Sequence, residues 1–412
     1  MRIAILGAGP SGLAVALALK RKGHDNIVIY EKEERVGGKS FSYPYKGKNF
    51  DLGSMVFGKD DMVARLADEF RVPYKPVDGS GVFLVDGKYV NPVTHILKTY
   101  STMELLQSFL RFQKLVEETD IRRPGYGAYP AELSLPFSRY VKKHKIEPLA
   151  KAVEPVMTGF GYGYYEEIPA IYGLKFISSM LSGSFVLSWL SGKNVMCFFP
   201  GGWSAFWQKI ARGFDIRLKA DVTWIKRGPH GVTLTVNGRA ETADQLVITS
   251  PLSKLEGLLD ATPAEKTLFR AIRHYRVIST LIESTPLKTA FLVDNTRRAR
   301  AGHVIGFENY HPKTSCYVAF QLAYPDLDLG EAARLLEADV EALGGKIRKI
   351  VVQKSWDYFY HLPGEAVKNG FYPKVEAMQG KKRTWYAGGV MNFETVGHCI
   401  EYADALVERM PL

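Results

Sequence analysis

The opening segment constrains this chain more than any other feature. Met1 to Leu6 is a short apolar run without helical period, and it leads directly into Gly7-Ala8-Gly9-Pro10-Ser11-Gly12. The Ala/Leu-rich stretch Leu13 to Lys20 follows. Strand, glycine-rich turn and helix in that order are the context in which G-x-G-x-x-G signals dinucleotide binding. Gly7 serves the tight turn, Gly9 leaves room for a pyrophosphate, and Gly12 lets the helix pack close to the strand. Pro10 and Ser11 open the helix, whose N-terminus offers N–H groups and partial positive charge to phosphates.

Asn26 to Tyr30 reads as a second strand, and Glu31 follows it nineteen residues after Gly12. That is the spacing at which an acid meets ribose hydroxyls. Then comes Glu31-Lys32-Glu33-Glu34-Arg35-Val36-Gly37-Gly38-Lys39, an arginine and a glycine pair just past the strand. This block resembles the flavin-containing amine oxidase superfamily, where the fingerprint is followed by E-x(3)-R-x-G-G. The resemblance implies FAD, held noncovalently, with Arg35, Gly37 and Gly38 against its pyrophosphate and flavin. Lys32 and Lys39 join the candidate contacts. Phe50-Asp51-Leu52-Gly53-Ser54 continues the pattern, and there Gly53 and Ser54 would pass the isoalloxazine ring.

Composition agrees with a globular enzyme. The 412 residues are 46% hydrophobic and 24% charged, enough for two domains with full cores. The formal charge of +11 comes from spread residues with small clusters at Arg297-Arg298-Ala299-Arg300 and Lys381-Lys382-Arg383. No basic stripe interleaved with aromatics appears, so a solvated basic face is expected rather than a nucleic-acid partner. A pull toward anionic surfaces or a carboxylate substrate stays open. No run of about 18 apolar residues is present, so no transmembrane span is expected, although peripheral membrane contact stays open. Ile171 to Leu190 is interrupted by Lys175 and several serines, and reads as a buried helix and turn, either core or the wall of an apolar tunnel. The cysteines Cys197, Cys316 and Cys399 have no metal-like spacing. No metal is expected. The chain opens on a core strand, and a reduced, cytoplasmic protein is the expectation.

The fold class expected is α/β: a Rossmann-type FAD-binding domain built from discontinuous segments, with an α+β substrate or cap domain. The boundaries read as 1–75, 191–265 and 365–412 for the first and 76–190 and 266–364 for the second. Val82 to Val90 reads as a hairpin turning at Asp86-Gly87, and Asn237-Gly238 marks another. By resemblance, Val222 would bind adenine through its backbone. Arg383 to Gly389 reads as a strand ending in the glycines Gly388 and Gly389. Asn392-Phe393-Glu394-Thr395-Val396-Gly397 then leads into a last helix. In the superfamily that helix points its N-terminus at the flavin, which puts Thr395 and Val396 among the cofactor contacts. One departure stands out: Gly389 occupies the place of an acid that grips the ribityl chain. An acid restored there is expected to tighten FAD.

Other blocks are similar to a bacterial subgroup, the FAD-dependent polyunsaturated fatty-acid double-bond isomerases. They are Thr158 to Gly163, Ile168 to Lys175, Val293 to Arg297, Trp356 to His361 and Gly370 to Gly380. The resemblance implies a hydrophobic small-molecule substrate and hydride transfer without net oxidation: hydride leaves a bis-allylic carbon for flavin N5 and returns to another carbon. No acid–base dyad is evident, and the catalytic chemistry is expected on FAD. Candidate pocket residues are Phe160, Tyr162, Phe185, Trp356 and Tyr358. An arginine that binds the fatty-acid carboxylate in the subgroup aligns with Gly81. Lys88 and Arg276 are the candidates to replace it, and free linoleate is expected to be a poor substrate. A true oxidase or dehydrogenase of the amine-oxidase type is the alternative. His303, His361 and His398 read as structural, and so do Tyr164 and Tyr165.

Overall fold

The computed structural model describes residues 1–77, 82–181, 196–288, 291–294, 298–309, 311 and 313–411. Ile3–Leu6 forms the first strand (β1), Pro10–Arg21 the first helix (α1) and Ile27–Tyr30 the second strand (β2). Every residue of β1 and β2 is buried, as is α1 from Ser11 to Leu19. That is why these segments read as apolar runs and not as alternating patterns: a parallel sheet covered on both faces buries both sets of side chains.

Five parallel strands make this sheet, in the order Asp215–Arg217, β2, β1, Gln245–Ile248, Thr384–Tyr386. Numbered along the chain, the order is 3-2-1-4-5, that of a doubly wound dinucleotide fold. The strand order reverses direction beside β1, and ligands bind at the carboxyl ends of strands at such a point. The C-terminal helix Val396–Glu408 packs along α1. A separate three-stranded antiparallel sheet, Val222–Arg227, Val232–Val236 and Arg239–Ala243, turns at Asn237-Gly238, both at positive φ.

The second large sheet runs Ile347–His361, Arg273–Ser284, Cys316–Ala323, Val304–Glu308, Phe291–Val293, Phe83–Val85, Lys88–Val90. Its strands pair antiparallel except Phe291–Val293 with Phe83–Val85. The Asp86-Gly87 turn has φ of 46° and 73°, the twist a two-residue hairpin needs. Helices Thr102–Thr119, Phe137–His144, Glu147–Gly159 and Ala170–Met180 belong to the same half of the chain. The last is buried from Ala170 to Ser178, Lys175 included, whose ammonium donates to the Arg123 carbonyl at 2.6 Å. Among the described residues, no helix is long and apolar enough to cross a membrane.

One buried ion cluster ties the small sheet to the five-stranded one. Arg227, with a side chain 0% exposed, donates to Asp260 at 2.6 Å and to both Glu265 oxygens at 2.6 and 2.8 Å. The Tyr386 hydroxyl, on the edge strand, donates to Glu265 at 2.5 Å. Burial alone would raise the Glu265 carboxyl, but the Arg227 and Tyr386 hydrogen bonds outweigh it and hold the pKa down at about 2. Removing one partner of a buried pair costs about 3–5 kcal/mol. Glu265→Gln is therefore expected to lower the melting temperature. A depressed carboxylate stabilises fully above its unfolded pKa. The gap between wild type and variant should hold constant above the ordinary carboxylate value of 4.5 and close as pH falls toward 2. Melts across that range check it, and a gap that widens on acidification contradicts it.

Candidate active site

A single cavity of about 1100 Å³ takes in the carboxyl ends of β1, β2 and the Gln245–Ile248 strand. A pocket for one drug-sized ligand holds roughly 300–1,000 Å³, so this volume suits a cofactor together with a substrate. Its wall includes Gly7, Gly9, Pro10, Ser11, Glu31, Lys32, Arg35, Gly38 and Lys39 from the opening segment. Gly53, Ser54, Val222, Gly388, Gly389, Thr395 and Val396 come from distant segments to the same wall. So do Phe160, Tyr162, Trp356 and Tyr358.

The glycine positions differ in what requires them. Gly7 has φ +105°, and a Cβ on Gly12 would lie 2.0 Å from the Gly7 carbonyl oxygen. Gly12 is thus a packing residue and does not line the cavity. Gly37 is also set back from it: φ is +96°, and its N–H donates to the Ala8 carbonyl at 2.8 Å. Both help hold the turn that lines the cavity, and neither is on its wall. Gly9 is the reverse case. Its φ is −77°, and a Cβ there would meet only the Gly38 Cα, at 3.9 Å. Nothing in the protein forbids a side chain at Gly9, so the glycine is explained by what approaches it from the cavity.

Polar groups around this turn suit a dinucleotide. The Glu31 carboxylate accepts from Ala8 N–H at 2.8 Å and from Glu33 N–H at 2.9 Å, so the acid also fixes the glycine turn, beyond the ribose role read from its spacing. Each oxygen keeps a second lone pair for a hydroxyl. Arg35 stacks on Phe41, 4.4 Å from the ring centroid, with Trp356 at 6.0 Å. Burial lowers its pKa against the opposing pull of the Glu33 and Glu31 charges, and neither carboxylate forms a salt bridge with it. A partly buried guanidinium held in no direct salt bridge, beside the open N-terminus of α1, fits a pyrophosphate.

Aromatic side chains build the rest. Tyr358 donates to the Tyr162 hydroxyl at 3.1 Å, and the Tyr162 ring packs against Phe176, Phe359 and Phe393. Burial raises both phenol pKa values, so both stay neutral. Trp356 is fixed by its indole N–H, which donates to the Leu52 carbonyl at 2.6 Å. Phe393 holds φ 141° and ψ 152°, a region that costs a non-glycine residue about 1–3 kcal/mol and clusters at functional sites.

Other residues fall elsewhere. Phe185 and Gly81 lie outside the described residues. Neither Lys88 nor Arg276 reaches the cavity wall; Arg276 donates instead to the Leu327 carbonyl at 2.7 Å. Burial lowers the pKa of His361 to about 4 and of His398 to about 3, so both stay neutral, and neither lines the cavity. His303 contacts Asp339 at 2.8 Å, away from the cavity.

Sequence reasoning missed Glu394, Asp61 and Cys399, all on the wall. Burial pushes the Cys399 thiol up to about 11, which leaves it protonated and weakly nucleophilic. Glu394 bears directly on the departure at position 389. A Cβ on Gly389 would lie 2.6 Å from the Glu394 Cγ, so an acid placed at 389 collides with Glu394 instead of tightening the site. The signal was an acid five residues downstream, which only the folded turn brings back beside Gly389.

These contacts separate two glycine variants. Gly9→Val is expected to leave the apoprotein folded with near wild-type melting temperature while abolishing FAD uptake. Gly12→Val, driven into a backbone carbonyl, is expected to destabilise the apoprotein itself. Melting curves with flavin occupancy check both, and full flavin occupancy in Gly9→Val contradicts the assignment.

Comparison with known proteins agrees. The FAD-dependent oxidoreductase dpasF of Apiospora sacchari is 24% identical over 94% of this chain and 87% of its own length. The polyenoic fatty acid isomerase of Ptilota filicina is 22% identical over 68% of this chain and 63% of its own. The crystal structure of a CLA-producing fatty acid isomerase from P. acnes superposes with a TM-score of 0.89 at 27% identity, covering 100% of this chain and 99% of that one. A putrescine oxidase, at 16% identity and TM-score 0.70 over 99% and 98%, shares the fold. A model of the flavin containing amine oxidoreductases matches residues 10–357, and the chain belongs to that family of FAD enzymes.

Proposed function

We propose that this enzyme transfers hydride on an apolar unsaturated substrate and, in its specific form, is a fatty-acid double-bond isomerase. The observation that carries the reading is one cavity in which the glycine turn meets Phe160, Tyr162, Trp356 and Tyr358, with no histidine on its wall among the described residues. The likeness to the P. acnes isomerase along the whole chain supports it. Bound FAD would supply the hydride acceptor and donor.

The chain's own residues would do the rest. Gly9, Arg35 and the α1 N-terminus would hold the pyrophosphate, and Glu31 the ribose. Tyr162, Tyr358, Trp356 and Phe160 would orient an apolar chain and exclude water. Aromatic faces favour a positive charge developing on the substrate. The neutral, buried phenols of Tyr162 and Tyr358 are poor proton acceptors, which suits a reaction that needs no side-chain base. We further propose that the strand composition of the two large sheets reflects a cofactor unit of 1–75, 191–265 and 365–412 and a substrate unit of 76–190 and 266–364. A hydrophobic ligand, a lipid or carboxylate, fits that second unit.

Deuterium at the bis-allylic carbon of a polyunsaturated substrate tests the reaction. Under strict anaerobiosis, product is expected to form with oxidised flavin at the end and deuterium at a new carbon. Flavin bleaching that persists until oxygen enters, with peroxide stoichiometric to product in air, contradicts isomerisation. That result supports net oxidation of the amine-oxidase type.

A further inference from the structure

Three segments far apart in sequence meet at one charge pair on the cavity wall. Lys39, directly after the glycine pair, is ion-paired with Glu394 from the loop before the last helix. The other Glu394 oxygen accepts from the Tyr360 N–H at 2.7 Å, on the Ile347–His361 strand. Lys39 donates in addition to the Asp357 carbonyl at 2.6 Å on that strand. Its ammonium lies 5.3 Å from the Tyr358 ring centroid and 4.8 Å from that of Tyr360. The Glu394 side chain is 10% exposed and that of Lys39 31%.

Counting donors and acceptors tells what this arrangement presents. An ammonium has three N–H groups. Glu394 and the Asp357 carbonyl take two of Lys39's, which leaves one for the cavity. Each Glu394 oxygen takes one hydrogen bond, from Lys39 on one side and the Tyr360 N–H on the other, so the carboxylate is fixed to the strand and holds the ammonium in place. Space has been made for this. Gly389 gives up the volume that Glu394 Cβ and Cγ occupy, 2.9 and 2.6 Å from where its own Cβ would stand. The strained backbone of Phe393 turns Glu394 back toward that gap.

Lys39 is among the FAD contacts that the sequence resemblance implies; we propose that Glu394 is the positioning residue that aims the remaining Lys39 N–H at a hydrogen-bond acceptor of the bound FAD, and that residue 389 is glycine to leave Glu394 its room. The inference rests on FAD as cofactor and is independent of isomerisation versus oxidation.

Titration of substrate-free apoprotein with FAD, followed by flavin fluorescence, tests it. Lys39→Met and Glu394→Gln are each expected to weaken FAD by about tenfold or more, the size of a lost hydrogen bond to a charged group. The double variant should bind no more weakly than Lys39→Met alone, because Glu394 acts through Lys39. The visible flavin spectrum of the Glu394→Gln holoprotein should shift. Gly389→Ala should weaken FAD in the wild-type background, and Gly389→Ala combined with Glu394→Ala should bind as Glu394→Ala does. Wild-type FAD affinity and spectrum in Lys39→Met and Glu394→Gln would overturn the proposal. So would a lowered apoprotein melting temperature with unchanged FAD affinity, which would leave the pair a tie between sheet and loop. Additive losses in the double variant would overturn the Glu394-through-Lys39 relation.

Discussion

The approach of residue 12 to the Gly7 carbonyl governs the rest of the molecule. The distance of 2.0 Å that a Cβ would have to that oxygen means α1 can lie where it does only over a glycine. Seated there, the helix buries nearly all of its length against the parallel sheet and aims its free N–H groups at the strand ends. The same device recurs where other segments cross the cavity. A Cβ on Gly53 would stand 1.6 Å from the Lys39 carbonyl, and one on Gly38 3.1 Å from the Gly9 Cα. Backbone packed on backbone draws three stretches of the opening segment, at Gly7–Gly12, Gly38–Lys39 and Gly53, around one space.

The second large sheet completes that space by means of one long strand. Along Ile347–His361, the run from Lys354 to Tyr358 lies on the cavity wall and brings the large rings of Trp356 and Tyr358 to it. Phe359 then takes φ +52°, and the pairing register with Arg273–Ser284 slips there, between Arg273 and Tyr275. Tyr360 comes to the cavity wall as well, where its N–H meets Glu394. Bulges are over-represented next to binding sites, and this one lies between two wall residues, Tyr358 and Tyr360.

The opening unit was legible in the sequence because its physics is local. Turn, helix start and acid lie within a short stretch, and Gly12 answers to Gly7 five residues away. The hairpin at Asp86-Gly87 was legible for the same reason. What depends on long-range closure was not. Glu394 stands beside Gly389 through a turn at Phe393 that no propensity predicts, and its partner Lys39 is 355 residues away. Glu31 shows a milder form of the limit. Its spacing pointed to a ribose, yet the folded chain also uses both its oxygens to hold Ala8 and Glu33. The packing role read for Gly12 from its motif position holds, while Gly37, expected against the cofactor, stands set back from the cavity wall, because a motif names positions without saying which atoms face the ligand.

In this reading one continuous space holds the cofactor beside an aromatic compartment left free for substrate. A crystal structure of the FAD-loaded protein decides it: the pyrophosphate is expected at Gly9 and Arg35, the flavin near Lys39 and Gly389, and open volume against Tyr162, Tyr358 and Trp356. A flavin that fills the aromatic compartment, or a nucleotide bound away from the Gly7–Gly12 turn, would contradict it.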